Sequence, residues 1–161
     1  MSSNTFNVVK NQIKELPNNI ESEQAVIGSI LVSNDIFDEI SIIIDNKKFY
    51  DPVHQKIFLA IESLISKGML ANPITLKNYF ENDNSLDELQ GHEYLVKITK
   101  FSTSQRQALE YAKIIYDMYV RRELIKISES TIENASNKTL ELPGDKIIEQ
   151  SEKLLFDLAE R

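Results

Sequence analysis

Residues 104–136, SQRQALEYAKIIYDMYVRRELIKISESTIENAS, contain neither glycine nor proline. As a single α-helix this stretch would extend about 50 Å at ~1.5 Å per residue, longer than a small domain is wide. Its apolar residues also occupy too much of the circumference for one buried stripe. Leu109, Ala112, Tyr116 and Tyr119 follow a 3-4-3 spacing, while Ile114, Met118 and Ile125 fall on a second line. One face suits the chain's own core; the other needs a later helix or another subunit. Arg121 and Arg122, followed by Glu123, read as a solvated face with local ion pairs.

A chain of 161 residues fits one domain, or a domain with an extension. Its 42% hydrophobic and 27% charged residues are ordinary for a soluble globular protein. No apolar run approaches the ~20 residues of a membrane span, and the N-terminus lacks the pattern of a signal peptide. The absence of cysteine excludes disulfides and thiolate metal sites and suits a cytoplasmic location. A formal charge of −7 argues against general nucleic-acid affinity, which rests on Lys and Arg neutralising phosphates.

On either side of the long stretch the sequence predicts further helices. Residues 1–18 read as a flexible tail, although Phe6, Val9, Ile13 and Leu16 keep helical spacing and could form a helix that docks on a partner. The first firm helix is Ile20–Val32, capped by Asn19 with Glu21 and Glu23 in its first turn. Gly28 in mid-helix costs about 1 kcal/mol against alanine and points to close approach of another helix. A second helix opens at Asn34-Asp35 and turns Ile36, Phe37, Ile40, Ile43 and Ile44 inward. Asp51-Pro52 starts a third, burying Val53, Ile57, Phe58, Ile61, Leu64 and Ile65 and ending at Gly68. Asn72-Pro73 starts a fourth with Leu76, Tyr79 and Phe80; Asn82–Glu88 is a polar loop; a fifth runs over about His92–Thr99. After Leu142-Pro143-Gly144, Asp145 caps a last helix, Lys146–Glu160, with an inward stripe of Ile147, Ser151, Leu154, Leu155 and Leu158. Phe156 lies about 180° from Ile147 at ~100° per residue, either a lone exposed aromatic or a contact with another subunit. The fold expected is all-α: a head of about five short helices over residues 19–102, then a protruding two-helix hairpin over 103–161.

Catalytic and ligand motifs are missing from the pattern. The glycines at 28, 68, 91 and 144 are too dispersed for a phosphate-binding loop, so the chain alone should not hydrolyse ATP. His54 and His92 have no metal-ligand spacing; His92-Glu93 fails as HExxH because position 96 is Val96. Asp83, Ser85 and Asp87 resemble a calcium loop only faintly, without its glycine. His54 therefore reads as structural, the acidic loop as solvated, and no catalytic, cofactor or metal residue is assigned.

The order of motifs resembles the N-terminal domain of DnaB-type replicative helicases. Pro17 to Leu31, PNNIESEQAVIGSIL, is similar to that family's P-x-S-x-E-A-E-Q-x-V-L-G-x-L opening. Phe49-Tyr50 with His54, Ile57 and Phe58 matches F-Y-x-x-x-H-x-x-I-F; Ile74-Thr75-Leu76 matches I-T-L; Gly91, Tyr94 and Leu95 match G-x-x-Y-L. Tyr111-Ala112 with Ile114-Ile115, and Arg122-Glu123-Leu124-Ile125, match the long-helix pattern. The resemblance covers about residues 17–161, with Gln90 where the family usually has a second glycine and Asn72 where Asp is common.

That resemblance implies an excised N-terminal domain, because such helicases continue into a RecA-like ATPase domain that binds ATP and Mg. It also implies a partner set: the domain pairs through its hairpin, three pairs form a collar on the hexameric ring, and the collar recruits primase. No direct nucleic-acid or membrane contact is expected for the domain itself. The subunit or primase surface is expected to involve Leu109, Tyr116, Met118, Tyr119, Ile125, Ile147 and Phe156; Ile125 and Ile147 also suit the hairpin's own core. The alternative is a free-standing helical adaptor, such as a helicase-binding domain of primase or a helicase loader. A small enzyme or metal protein has no support in the sequence.

Overall fold

Asparagine, aspartate and proline at predicted helix starts do what their chemistry suggests in the computed structural model, which describes residues 15–81 and 91–160. Seven α-helices occur among those residues: α1 (Ile20–Val32), α2 (Phe37–Ile43), α3 (Pro52–Ser66), α4 (Pro73–Tyr79), α5 (His92–Ile98), α6 (Gln105–Ser136) and α7 (Gly144–Ala159). No strand occurs among them, so the all-α expectation holds. The readings of residues 1–14, of the loop at 82–88 and of Asp83, Ser85 and Asp87 fall outside the described residues.

The caps are specific. Asn19 accepts the Ser22 backbone N–H at 3.0 Å, and Asp51 accepts that of Val53 at 2.9 Å, with Pro52 in the first turn of α3. At α4, Asn72 accepts from the backbone of Ile74 and Thr75 while Thr75 Oγ1 accepts from Asn72 N–H, a reciprocal capping box. Gly68 ends α3 with φ +75°, a left-handed conformation natural to glycine; Met69 N–H then reaches back to the Leu64 carbonyl at 2.9 Å.

The chain packs as two compact units, Asn18–Tyr119 and Val120–Arg161 together with the chain up to Pro17. The core of the first gathers Ile27, Ile30, Ile40, Phe49, Phe58 and Ile61 with Leu76, Leu95 and Ile98, all fully or nearly fully buried. Phe49 and Phe37 flank Phe58 at ring separations of 5.1 and 5.5 Å. Gly28 is where this unit has least room. A Cβ built there would lie 2.2 Å from the Ile98 carbonyl oxygen and 3.3 Å from the Ser102 nitrogen, so backbone meets backbone across α1. One residue on, Ser29 Oγ accepts the Thr103 N–H at 2.9 Å, fixing the approach to α6.

In the second unit, α6 and α7 are joined by Thr131, whose hydroxyl lies 2.9 Å from that of Ser151. Two sequence expectations fail here. Asp145 does not cap α7: Pro143 holds the cap position, its carbonyl accepting from Lys146 and Ile147, and Asp145 sits in the first turn. The expected inward stripe is also incomplete, since Ile147 and Leu158 are buried and Ser151 half-buried, but Leu154 and Leu155 are exposed. One helix partner cannot cover a face that wide.

Candidate functional site

Helix α7 exposes more apolar surface than a helix of its length needs. Phe156 is 64% exposed, Ile148 58% and Leu155 45%. At ~100° per residue, Leu155 and Ile148 fall about 80–100° round from Ile147, and Phe156 continues the sweep to about 180°. Acidic Glu149, Glu152, Asp157 and Glu160 are interspersed, all exposed. The turn before α7 adds Leu140, almost entirely exposed, and borders an open apolar cleft with Ala135, Leu142, Pro143, Ile147 and Ile148. Such a surface has no chemistry for bond-making. It can bind another apolar surface without directional constraint, and its acidic residues favour a partner with matching cations.

The seven sequence-predicted surface residues occupy different surroundings. Leu109 and Tyr116 pack partly buried against the first unit's core. Tyr119 is buried, its ring 4.6 Å from the Lys48 ammonium. Met118 and Ile125 are half-buried, Ile147 is buried in the second unit, and Phe156 is exposed. Arg122, read from sequence as solvated, is buried and donates to the Pro17 carbonyl at 2.9 Å. The buried line of α6 is Ala108, Ala112, Ile115, Tyr119 and Arg122, a 4-3-4-3 row on which an arginine replaces the last apolar residue. That row carries the one signal that could have found Arg122.

A second assembly lies wholly inside the first unit. Glu23, in the first turn of α1, is buried and accepts three donors: Tyr50 N–H at 2.8 Å, Asp51 N–H at 3.3 Å and His54 Nδ1 at 2.8 Å. With its proton on Nδ1, the His54 imidazole presents Nε2 to the Tyr94 hydroxyl, which donates to it. The two rings also stack, 5.9 Å apart. Burial raises the Tyr94 phenol above its ordinary pKa of 10.0; a hydrogen bond with Gln24 opposes the shift, and negative Asp51 and Glu23 add to it. His54 is fully buried and meets a partner at each nitrogen, so the trio works as a clamp, tying α1, the start of α3 and α5. Sequence reasoning placed Glu23 at a helix terminus for its charge. Its position three and four residues before buried Val26 and Ile27 put it on the inward face, where a carboxylate needs donors.

Among the described residues no group of three or more His, Asp or Glu side chains gathers as a metal site. None of their helices is long and apolar enough to cross a membrane.

Comparison with known proteins gives a consistent result. The family model for the DnaB-like helicase N terminal domain matches residues 15–117. A replicative DNA helicase DnaB of Rickettsia conorii is 40% identical over 144 residues, covering 89% of this chain and 29% of that protein. The corresponding protein of Rickettsia typhi is 37% identical over 163 residues, covering 98% of this chain and 33% of its own length. This chain thus spans about a third of the curated relatives it matches. In three dimensions it is similar to the N-terminal domain of DnaB helicase from Mycobacterium tuberculosis, with a TM-score of 0.81 at 21% identity, covering 89% of this chain and 99% of that one. At that identity the likeness speaks for the fold.

Proposed function

The chain belongs to the DnaB-like helicase N-terminal domain family, and on that premise we propose that it is the collar domain of a hexameric replicative helicase, pairing with a second copy of itself and docking primase. The head, residues 19–102, is the folded base in this reading, and the hairpin, 103–161, is the pairing element. Unwinding, with its ATP and Mg, belongs to the part of such a helicase outside this chain, as the relatives' much greater length supports. Primase docking is assigned to surface the pair leaves open.

The observation that carries the reading is the exposed apolar face of α7, Phe156 with Ile148 and Leu155. Within the second unit, buried Ile147 seats α7 behind that face. Burying one aromatic against a partner contributes about 1.5–3 kcal/mol, roughly a tenfold to more than hundredfold change in dimer affinity. Sedimentation across a concentration series tests it: Phe156→Asp shifts the dimer towards monomer while helicity by circular dichroism stays the same. A variant that sediments like the parent protein at every concentration overturns the pairing surface.

A further inference from the structure

One side of α1 is built from small residues: Ser22, Ala25 and Ser29 recur at intervals of 3 and 4, each of them buried. Towards its end the helix is drawn tight against the chain before α6, with Gly28 on Ile98 and Ser29 bonded to Thr103. Nearer its start, Ser22 and Ala25 have too little side chain to fill the space. A cleft of about 440 Å³ opens there, between the first two turns of α1, the turn after α5 and the early turns of α6. That volume falls within the ~300–1,000 Å³ range of ligand pockets.

The lining has a definite chemistry, all of it inside the first unit. Phe101, Tyr111 and Ile114 form an apolar wall, and Glu21 contributes a carboxylate. Phe101 is 39% exposed, Tyr111 and Ile114 are half-buried and Glu21 is exposed, so wall and carboxylate are both reachable from solvent. None of the lining residues is basic. On α6, Glu110 and Asp117 fall within about 60° of Ile114 at ~100° per residue, whereas Arg106 and Lys113 fall about 80–100° round. Lys113 is already paired with Glu110 at 3.3 Å. Along α6 the charges nearest the cleft are therefore negative.

That combination selects the occupant. Nucleic acid or anionic lipid would bring phosphates against carboxylates. A bare cation would leave the apolar wall wet, and a plain hydrocarbon would leave the carboxylates unanswered. A ring flanked by lysine or arginine meets both. We propose that this cleft is a docking site for an aromatic side chain on a basic segment of another protein, the ring entering between Phe101, Tyr111 and Ile114 and the neighbouring cation lying beside Glu21. The cleft shares no residue with the apolar face of α7, so it stands whether or not α7 is the pairing surface.

The peptide acetyl-Arg-Trp-Arg-amide is the probe, titrated into the full isotope-labelled chain and followed by backbone amide NMR shifts. Saturable shifts should centre on Ser22, Thr103 and Tyr111 and leave the α7 resonances in place. Acetyl-Arg-Ala-Arg-amide should bind at least about tenfold more weakly, the loss expected for a buried ring, and acetyl-Glu-Trp-Glu-amide should also bind more weakly. Glu21→Gln should weaken the Arg-Trp-Arg peptide about two- to fivefold, the worth of a partly exposed ion pair, and leave acetyl-Gly-Trp-Gly-amide unchanged. Phe101→Ala should weaken both peptides, with the helicity of each variant checked by circular dichroism. No saturable shift at millimolar peptide, shifts centred elsewhere, equal binding of the alanine or glutamate peptide, or a Glu21→Gln variant that binds like the parent overturns the proposal. Cleft resonances that move with protein concentration alone assign the cleft to a second copy and overturn it as well.

Discussion

The two units are made of the same material, amphipathic helix, yet they satisfy themselves differently. From Asn18 to Tyr119 five short helices and the first half of a long one bury a continuous core of aromatic and branched side chains, with one buried carboxylate matched donor for donor. From Val120 onward, the apolar residues buried are Ile147 and Leu158, and larger ones are left in solvent. The first unit draws its stability from within. The second consists of helices whose lengths are set by sequence but whose faces are only partly covered, and such helices depend on packing for most of their stability.

Substitutions can break or sharpen that contrast. The largest effect is expected for Phe58→Ala in the first core, about 3–5 kcal/mol from lost burial and an unfilled cavity. Leu155→Ala in α7 should cost less than about 1 kcal/mol in the monomer, because its side chain is already half in water. Urea unfolding of both measures the difference, and equal losses would abolish the distinction. Gly28→Ala comes next, at about 3 kcal/mol, since its methyl group has to displace the Ile98 backbone rather than a side chain; a neutral result would mean that α1 and the turn after α5 can part freely.

Tyr94→Phe should cost about 1–2 kcal/mol by leaving His54 Nε2 without its donor. It also carries a pH signature. Burial raises the folded-state pKa of Tyr94, so the folded protein holds the phenolic proton more tightly than the unfolded chain does. Its stabilising contribution is complete below the ordinary tyrosine value of 10.0 and is lost as pH climbs through the raised one. Stability should therefore decline above about pH 10, and Tyr94→Phe should flatten the decline; parallel curves from alkaline unfolding titrations would refute the assignment. Smallest of all, Phe156→Asp should change monomer stability by no more than about 0.5 kcal/mol, as measured by thermal unfolding at low concentration.

Much of the first unit was legible because its punctuation is chemical and local. Asn19, Asp51-Pro52, Asn72-Pro73 and Gly68 each act within a few residues of themselves. Gly28 was legible too, since a glycine inside an otherwise good helix needs a reason. What the periodicity left open was which of two neighbouring rows goes inward. On α6 it favoured Leu109 and Tyr116, whereas Ala108 and Ile115 take the deepest places and the two favoured residues flank them. On α7 it gave the direction of the apolar face but not its coverage, because coverage depends on how many neighbours the fold supplies. Arg122 was misread because charge normally means solvent, and its carbonyl partner lies over a hundred residues away. The seven surface residues were chosen by that same periodicity, which cannot tell a side chain packed on its own unit from one presented outward.

The Glu23–His54–Tyr94 clamp also constrains how this chain can diverge. Replacing His54 takes one of three donors from the buried Glu23 carboxylate and the ring acceptor from the Tyr94 phenol at once, so a change at that one position is felt on α1 and α5 together. Substitutions at the three positions should therefore be energetically coupled, unlike those on the exposed surface around them.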